Sequence, residues 1–231
     1  MCIAIIKPKN VKCPSYKKLR TCFQNNDDGA GYAIYNPSAC RWIVKKGFMT
    51  FSSFKKSLKK EKIDPADIVF YHFRIGTSGG TTGAYTHPFP ISKDRKDLFK
   101  LEYETENIIM HNGIMGAGEP GLSDTQVFIR DILYPLSGHI QDPAVLDVIK
   151  KCSEGSRLCI AMKDKIRLTG NWIDVDGIFY SNETYKKHAF SYNLQDYSDI
   201  DVCQVCGIDL NYEDDCENGL CQFCSIMMQN I

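Results

Sequence analysis

The chain has 231 residues, of which 43% are hydrophobic, enough for one full domain core and a small appendage. Its apolar runs, of about six residues at most, are far shorter than the roughly 18 to 20 needed to cross a bilayer, and no basic-then-apolar leader opens it, so we expect a cytoplasmic protein without membrane spans. Lys and Arg balance Asp and Glu at 28 each, and the segment from His188 onward has acidic residues but no Lys or Arg, so we do not expect direct nucleic-acid binding.

The first part of the chain predicts four strands and two surface helices. The strands are expected at residues 3–6, 31–35, 41–46 and 68–74, the second and third being joined as a hairpin. Apolar residues three and four apart predict a helix from Ser15 to Phe23. A second helix is expected to begin at Phe51, with a lysine-rich face that we interpret as solvated.

The second part predicts five more strands and two more helices. The strands are expected at residues 101–103, 107–110, 158–162, 166–169 and 176–180. Ser123 is expected to cap a helix that runs through Leu133, with Asp124 in the first turn, where the helix dipole favours a carboxylate. Another helix is expected to start at Asp142-Pro143. Strands and helices without regular βαβ alternation predict an α+β fold.

Cys2 directly precedes the first predicted strand. Removal of Met1 would leave Cys2 with a free α-amine, so a thiol of pKa about 8.5 would stand beside an amine of pKa about 7.7 to 8.0. One residue would then carry both a nucleophile and a base. Taken alone, a Cys at position 2 is more often without function.

Several polar residues lie at the ends of predicted strands and helices. Each has an ordinary structural interpretation: Arg74 as a surface charge, His87 before Pro88 as part of a turn, Asn112-Gly113 as a type I′ turn, and Asp124 as a residue that matches the helix dipole. These interpretations do not explain the order of the residues along the chain or their context.

Six motifs follow one another: Cys2, Asp28-Gly29-Ala30-Gly31, Arg74-Ile75-Gly76-Thr77, Thr86-His87-Pro88-Phe89, Met110-His111-Asn112-Gly113 and Ser123-Asp124-Thr125. In this order they resemble the class II glutamine amidotransferases, a family of N-terminal nucleophile (Ntn) hydrolases, and most of all its small stand-alone members. The resemblance covers about residues 2–182. It implies a four-layer αββα Ntn-hydrolase sandwich over residues 2–185.

The resemblance also implies a reaction. Cys2 would attack the side-chain amide of glutamine and form a γ-glutamyl thioester, and water would then release glutamate. The Asn112 side-chain amide and the Gly113 backbone N–H would form the oxyanion hole. Because the residues after 182 are too few for a second catalytic domain, the ammonia would pass to a separate acceptor enzyme.

The resemblance implies that four residues recognise the substrate. Arg74 would bind the α-carboxylate of glutamine and Asp124 its α-ammonium group. Thr77 would line the same pocket, and His87 would have a supporting role. The family pattern often has His where Ser78 stands here. Two alternatives remain open, another γ-glutamyl amide as substrate, or a catalytically silent binding or regulatory protein.

The tail carries two pairs of cysteines. Cys203 and Cys206 form one pair, Cys221 and Cys224 the other, and 14 residues separate the pairs. Four thiolates at this spacing predict a structural Zn²⁺ site in a zinc-ribbon-like tail over residues 203–231, after a linker at 186–202. The metal would supply most of the folding energy of so small a unit. Cys216 is either a free thiol or a substitute ligand.

Overall fold

Two antiparallel β-sheets and short helices give the chain an α+β fold. The computed structural model describes residues 2–116 and 118–186. Within these ranges, no helix is both long enough and apolar enough to span a membrane.

The strands of the described residues are, in chain order, β1 Ile3–Lys7, β2 Ala30–Asn36, β3 Arg41–Phe48, β4 Val69–Phe73, β5 Phe89–Pro90, β6 Glu102–Thr105, β7 Asn107–Asn112, β8 Arg157–Met162, β9 Lys165–Thr169, β10 Ile173–Val175 and β11 Ile178–Tyr180. Seven of them form one sheet in the order β10-β11-β1-β4-β2-β3-β6, and four form a second sheet in the order β5-β7-β8-β9. β1 lies between β11 and β4, so the strand that follows Cys2 has a partner on both sides.

The α-helices of the same ranges are α1 Tyr16–Gln24, α2 Phe51–Lys60, α3 Arg95–Leu98, α4 Asp124–Phe128, α5 Tyr134–Leu136 and α6 Pro143–Cys152. Side-chain caps start the two longer helices of the first half. The Ser15 hydroxyl accepts from Lys18 N over 3.2 Å, and the Thr50 hydroxyl accepts from Ser53 N over the same distance.

Three apolar clusters pack on the faces of the sheets. On one face of the seven-stranded sheet, Ile3 and Ile5 pack with Leu19 of α1 and Phe54 of α2. The opposite face of β1 contributes Ala4 and Ile6 to a second cluster, which also contains Met110 of β7 and Cys159 of β8. The third cluster joins the other face of the four-stranded sheet, through Ile109 and Ile160, to Ile129 and to Ile149 of α6. Alternation of side chains along β1 and β7 therefore determines which cluster each residue joins.

The sequence predicted most of these elements. The hairpin of β2 and β3 is confirmed, as are α1, α2 and α6. The lysine-rich face of α2 has one exception, because Lys55 is buried and its ammonium lies 5.4 Å from the Tyr16 ring centroid.

Three predicted boundaries were wrong. The strand expected at 107–110 continues through Asn112, because His111 and Asn112 pair with Leu158 and Arg157. The helix expected from Ser123 to Leu133 ends as an α-helix at Phe128 and continues as a wider π-helical turn over Ile129–Leu133. The strand expected at 176–180 is a short hairpin of β10 and β11, since Asp176 and Gly177 both have positive φ angles and form its turn.

Candidate functional site

Cys2 lies at the start of β1, beside the end of β4. Ile3 pairs with Phe73 across the two strands, which brings Cys2 next to the segment that follows β4. Ile75 N donates to Cys2 Sγ over 3.3 Å, and the thiol lies at the same distance from the Ile75 carbonyl oxygen. The Cys2 carbonyl accepts from Asn182 Nδ2 over 2.7 Å. Ile75, which follows β4, thus holds the thiol, and Asn182, which follows β11, holds the backbone of Cys2.

Burial raises the pKa of the Cys2 thiol above its ordinary value, while the hydrogen bond from Ile75 N and the charge of Arg74 act in the opposite direction. Because burial is the largest of these effects, the neutral thiol is favoured near pH 7. A nucleophilic thiolate at this position needs a base to accept the proton.

Arg74 is a buried cation in the same segment, and the residue is 5% exposed. Its Nη2 donates to the Ser78 carbonyl oxygen over 2.9 Å, and its guanidinium carbon lies 5.9 Å from the centroid of the Tyr85 ring. Among the residues that the structure describes, no carboxylate lies within ion-pair distance of Arg74. A buried guanidinium with spare donors is suited to bind an anionic group.

Asp124 is the first residue of α4. A capping box between Ser123 and Gln126 fixes the start of this helix, as the sequence predicted for Ser123. The buried Asp124 carboxylate accepts from Met115 N over 3.0 Å and from Thr125 N over 2.7 Å, and Asp124 N donates to Ser78 Oγ over 3.0 Å. Ser78 thus contacts both Arg74 and Asp124, the two charged residues of the site.

Asn112 and Gly113 lie at the end of β7. Asn112 is fully buried, its Nδ2 donates to Ser181 Oγ over 2.9 Å, and its Oδ1 has no hydrogen-bond partner. Gly113 has a φ of 149°, and a Cβ there would overlap the Ser156 side chain. Only glycine fits at this position, and it leaves the backbone accessible from the cavity described next.

One cavity brings most of the predicted site residues together. Its walls are formed by Cys2, Arg74, Ile75, Thr77, Ser78, Tyr85, His87, His111, Gly113, Ser123, Asp124 and Thr125. Six of the seven residues predicted for catalysis or substrate binding are in this set. The exception is Asn112, whose side chain contacts Ser181 and does not line the cavity.

Sequence reasoning missed several contributors to this site. His111 had appeared only as part of a motif, yet it lines the cavity and its Nδ1 lies 2.8 Å from Thr125 Oγ1. Ser181 and Asn182 lie at the end of the region that resembles the family, and no role was assigned to them. Ser181 contacts Asn112, and Asn182 contacts Cys2. Asp28 had no role either, and its carboxylate accepts from Gly76 N over 2.7 Å. The only sequence signal for these residues was that they stand in or next to the motifs that resemble the family.

The predicted zinc ligands Cys203, Cys206, Cys221 and Cys224, the linker and the tail all lie outside the described residues, apart from residue 186. Within residues 2–116 and 118–186, no group of three or more His, Cys, Asp or Glu side chains is arranged to hold a metal ion. The zinc site therefore stays a prediction.

Comparisons with known proteins give no family assignment. No known family model matches the chain, and no curated protein matches it in sequence.

Proposed function

We propose that the chain is a glutamine amidotransferase of the N-terminal nucleophile class, which hydrolyses glutamine to glutamate and ammonia. The single observation that carries the proposal is the shared cavity: Cys2, Arg74, Asp124 and Gly113 all line it. A nucleophile, a cation for a carboxylate and an anion for an ammonium group are what hydrolysis of free glutamine requires.

The proposed fold is a four-layer αββα sandwich over residues 2–185. The three apolar clusters support this arrangement, because one contains α1 and α2 with the seven-stranded sheet, one contains residues of both sheets, and one contains the four-stranded sheet with α6. Helices, sheet, sheet and helices then follow in that order.

The first chemical step is attack of the Cys2 sulfur on the side-chain carbonyl carbon of glutamine. With Met1 removed, the α-amine of Cys2 accepts the thiol proton. A base is needed because the raised pKa of the thiol keeps it protonated near pH 7. The amine returns that proton to the leaving nitrogen, ammonia departs, and a γ-glutamyl thioester remains. Gly113 N–H and the Asn112 amide stabilise the negative charge on the tetrahedral oxygen.

The two ends of the amino acid are recognised by opposite charges. The α-carboxylate binds Arg74, whose guanidinium is buried and without a carboxylate partner among the described residues. The α-ammonium binds Asp124 through Oδ2, which accepts only from Met115 N and keeps a free lone pair, whereas Oδ1 accepts from both Thr125 N and Thr125 Oγ1. Ser78, which contacts both residues, fixes their spacing.

A larger substrate is the second candidate, and one observation favours it. A cleft of about 450 Å³ adjoins the cavity, shares Ser78 and Tyr85 with it, and is otherwise lined by Gly79, Gly80 and residues 118–122. This space fits a group bonded to a glutamine or γ-glutamyl unit. Competition between glutamine, γ-glutamyl amides and glutamine-containing dipeptides identifies the preferred class.

Release of ammonia implies a protein partner that uses it, and the paired cysteines of the tail imply a bound metal ion. The proposal includes a separate ammonia-acceptor enzyme and a structural Zn²⁺ held by the four tail cysteines, whose thiols in two pairs fit a tetrahedral site. One zinc per purified chain is expected, with loss in Cys206→Ser. Zinc-free protein purified without chelator contradicts the metal assignment and leaves the glutaminase proposal standing.

The direct test is glutamate release from glutamine. Cys2→Ala should abolish it, while Cys152→Ala, which replaces an exposed cysteine, should not change it. Intact mass should show that Met1 is absent from active protein. Equal rates for wild type and Cys2→Ala would refute the proposal.

A further inference from the structure

His87 is a buried side chain whose hydrogen-bonding capacity is unused by the protein. It is 6% exposed, and neither Nδ1 nor Nε2 has a partner. A neutral imidazole carries one donor and one acceptor, and leaving both unmade in a buried position is costly. His87 therefore requires a small polar partner that can both donate and accept.

Its neighbour His72 has a free acceptor. His72 Nε2 lies 3.0 Å from the His111 carbonyl oxygen, which can only accept, so Nε2 carries the proton. Nδ1 is then a lone-pair acceptor, and it too is buried without a partner. The two rings lie 4.2 Å apart between centroids.

The third histidine of the group differs in this respect. His111 Nδ1 lies 2.8 Å from Thr125 Oγ1, and His111 Nε2 lies 3.1 Å from Ser156 Oγ. Both of its nitrogens are engaged by hydroxyl groups. The unused capacity thus belongs to His87 and His72, and of these two His87 lines the cavity with Cys2.

A water molecule is the partner that His87 lacks, because water donates and accepts at once. Because His87 and Cys2 line the same cavity, a water bound to the ring would lie near the proposed thioester.

We propose that His87 binds and positions the water molecule that hydrolyses the γ-glutamyl thioester on Cys2, an inference that rests on the proposed function. The water oxygen forms a bond to the thioester carbonyl carbon, and the carbon–sulfur bond breaks. Glutamate leaves with a new γ-carboxylate, and the Cys2 sulfur leaves as a thiolate. Of the two protons of the water, one passes to that sulfur through the α-amine and the other is released to solvent.

His87 acts in this step as a neutral ligand. Burial, with a smaller contribution from the nearby charges, holds its pKa well below the ordinary value of a histidine, so the ring stays unprotonated near pH 7. Its lone pair orients one O–H of the water, and the α-amine remains the base. His87 is thus a positioning residue for the second half of the reaction and is not needed for the first.

The test is rapid quenching of His87→Asn with glutamine, followed by intact mass. If His87 positions the hydrolytic water, kcat falls about 10- to 100-fold, and most of the enzyme carries one glutamyl group on Cys2. Hydroxylamine, a small nucleophile that does not depend on the bound water, should restore turnover as γ-glutamyl hydroxamate. A fall in kcat without accumulated acyl-enzyme would overturn the inference.

The controls separate this inference from the proposed function and from misfolding. His139→Asn, at an exposed position, should behave as wild type. If wild type itself releases no glutamate, the proposed function has failed. If His87→Asn does not fold, a crystal structure of the wild type decides: a water within hydrogen-bond distance of a His87 ring nitrogen supports the inference, and its absence there overturns it.

Discussion

Asn112 Nδ2 donates to the Ser181 hydroxyl over 2.9 Å, while Asn112 Oδ1 is buried without a partner. The same hydroxyl accepts from Ala4 N over 2.9 Å. Exchanging the oxygen and nitrogen of the amide gives an alternative arrangement, in which Ser181 donates its proton to the amide oxygen and the NH₂ group has no partner among the described residues. In the proposed reaction, Ser181 then orients Asn112 as an oxyanion donor.

We therefore predict that Ser181→Ala lowers kcat by about 10-fold or more and leaves KM nearly unchanged. Loss of a whole oxyanion donor typically costs about 10²- to 10³-fold, and loss of its orientation costs less. Steady-state glutamate release measures both constants. Ser153→Ala is the matched control, since Ser153 is also buried and donates only to carbonyl oxygens at the end of α6. A rise in KM alone would contradict the assigned role.

Gly76→Ala should raise KM for glutamine and change kcat little. A Cβ at position 76 would lie 3.1 Å from both terminal nitrogens of Arg74, so the guanidinium must shift from the position in which we propose that it binds the carboxylate. Hydrogen bonds to charged groups contribute about 1.5 to 3 kcal/mol, which corresponds to a rise in KM of roughly 10- to 150-fold. Gly138→Ala is the control, because nothing lies within 4 Å of a Cβ there. Equal KM values would exclude Arg74 from substrate binding.

Glutamine hydrolysis should rise with pH from neutral into the alkaline range. The reactive form has lost the thiol proton, and burial raises the pKa of Cys2, so the rise lies at higher pH than for a free cysteine. Arg74 lowers that pKa, so Arg74→Gln should move the rise further upward. The pH profile of Cys2 alkylation, with exposed Cys40 as internal reference, measures the shift. A profile unmoved by Arg74→Gln would be inconsistent with this account.

Stability should fall as the pH decreases below about 6.5. Burial lowers the pKa of His72 to about 3 and that of His111 to about 4, and it also lowers the pKa of His87. Below the unfolded pKa of about 6.5 the unfolded chain binds protons that the folded chain excludes, so each histidine removes up to about 1.4 kcal/mol of unfolding free energy per pH unit. Urea unfolding from pH 7 to 5 measures this slope. His72→Asn should flatten the slope, whereas His139→Asn should not.

The sequence predicted local features of the fold well and long-range ones poorly. The β2–β3 hairpin followed from alternating apolar residues around a turn, and α1 followed from its apolar spacing and its Ser15 cap. β5 was missed because two residues, Phe89–Pro90, carry no periodic pattern. The continuation of β7 to Asn112 depends on pairing with β8, which lies more than 40 residues later.

For the candidate site, too, the sequence predicted single residues better than their arrangement in space. The resemblance named Cys2, Arg74 and Asp124, but their meeting in one cavity depends on the β1–β4 register and on Ser78, which links the two charged residues. No pattern in the sequence predicts that His87 keeps both ring nitrogens free. That property follows from the positions of His72 and His111, which come from different sheets.

The contacts of residues 181 and 182 have a consequence for synthesis of the chain. Asn182 holds the Cys2 carbonyl, and Ser181 binds both Ala4 N and Asn112. β1 also lacks its β11 neighbour until Tyr180 has been made. β1 therefore gains these contacts only after nearly all of the described region has been made, so the surroundings of Cys2 are completed late in synthesis.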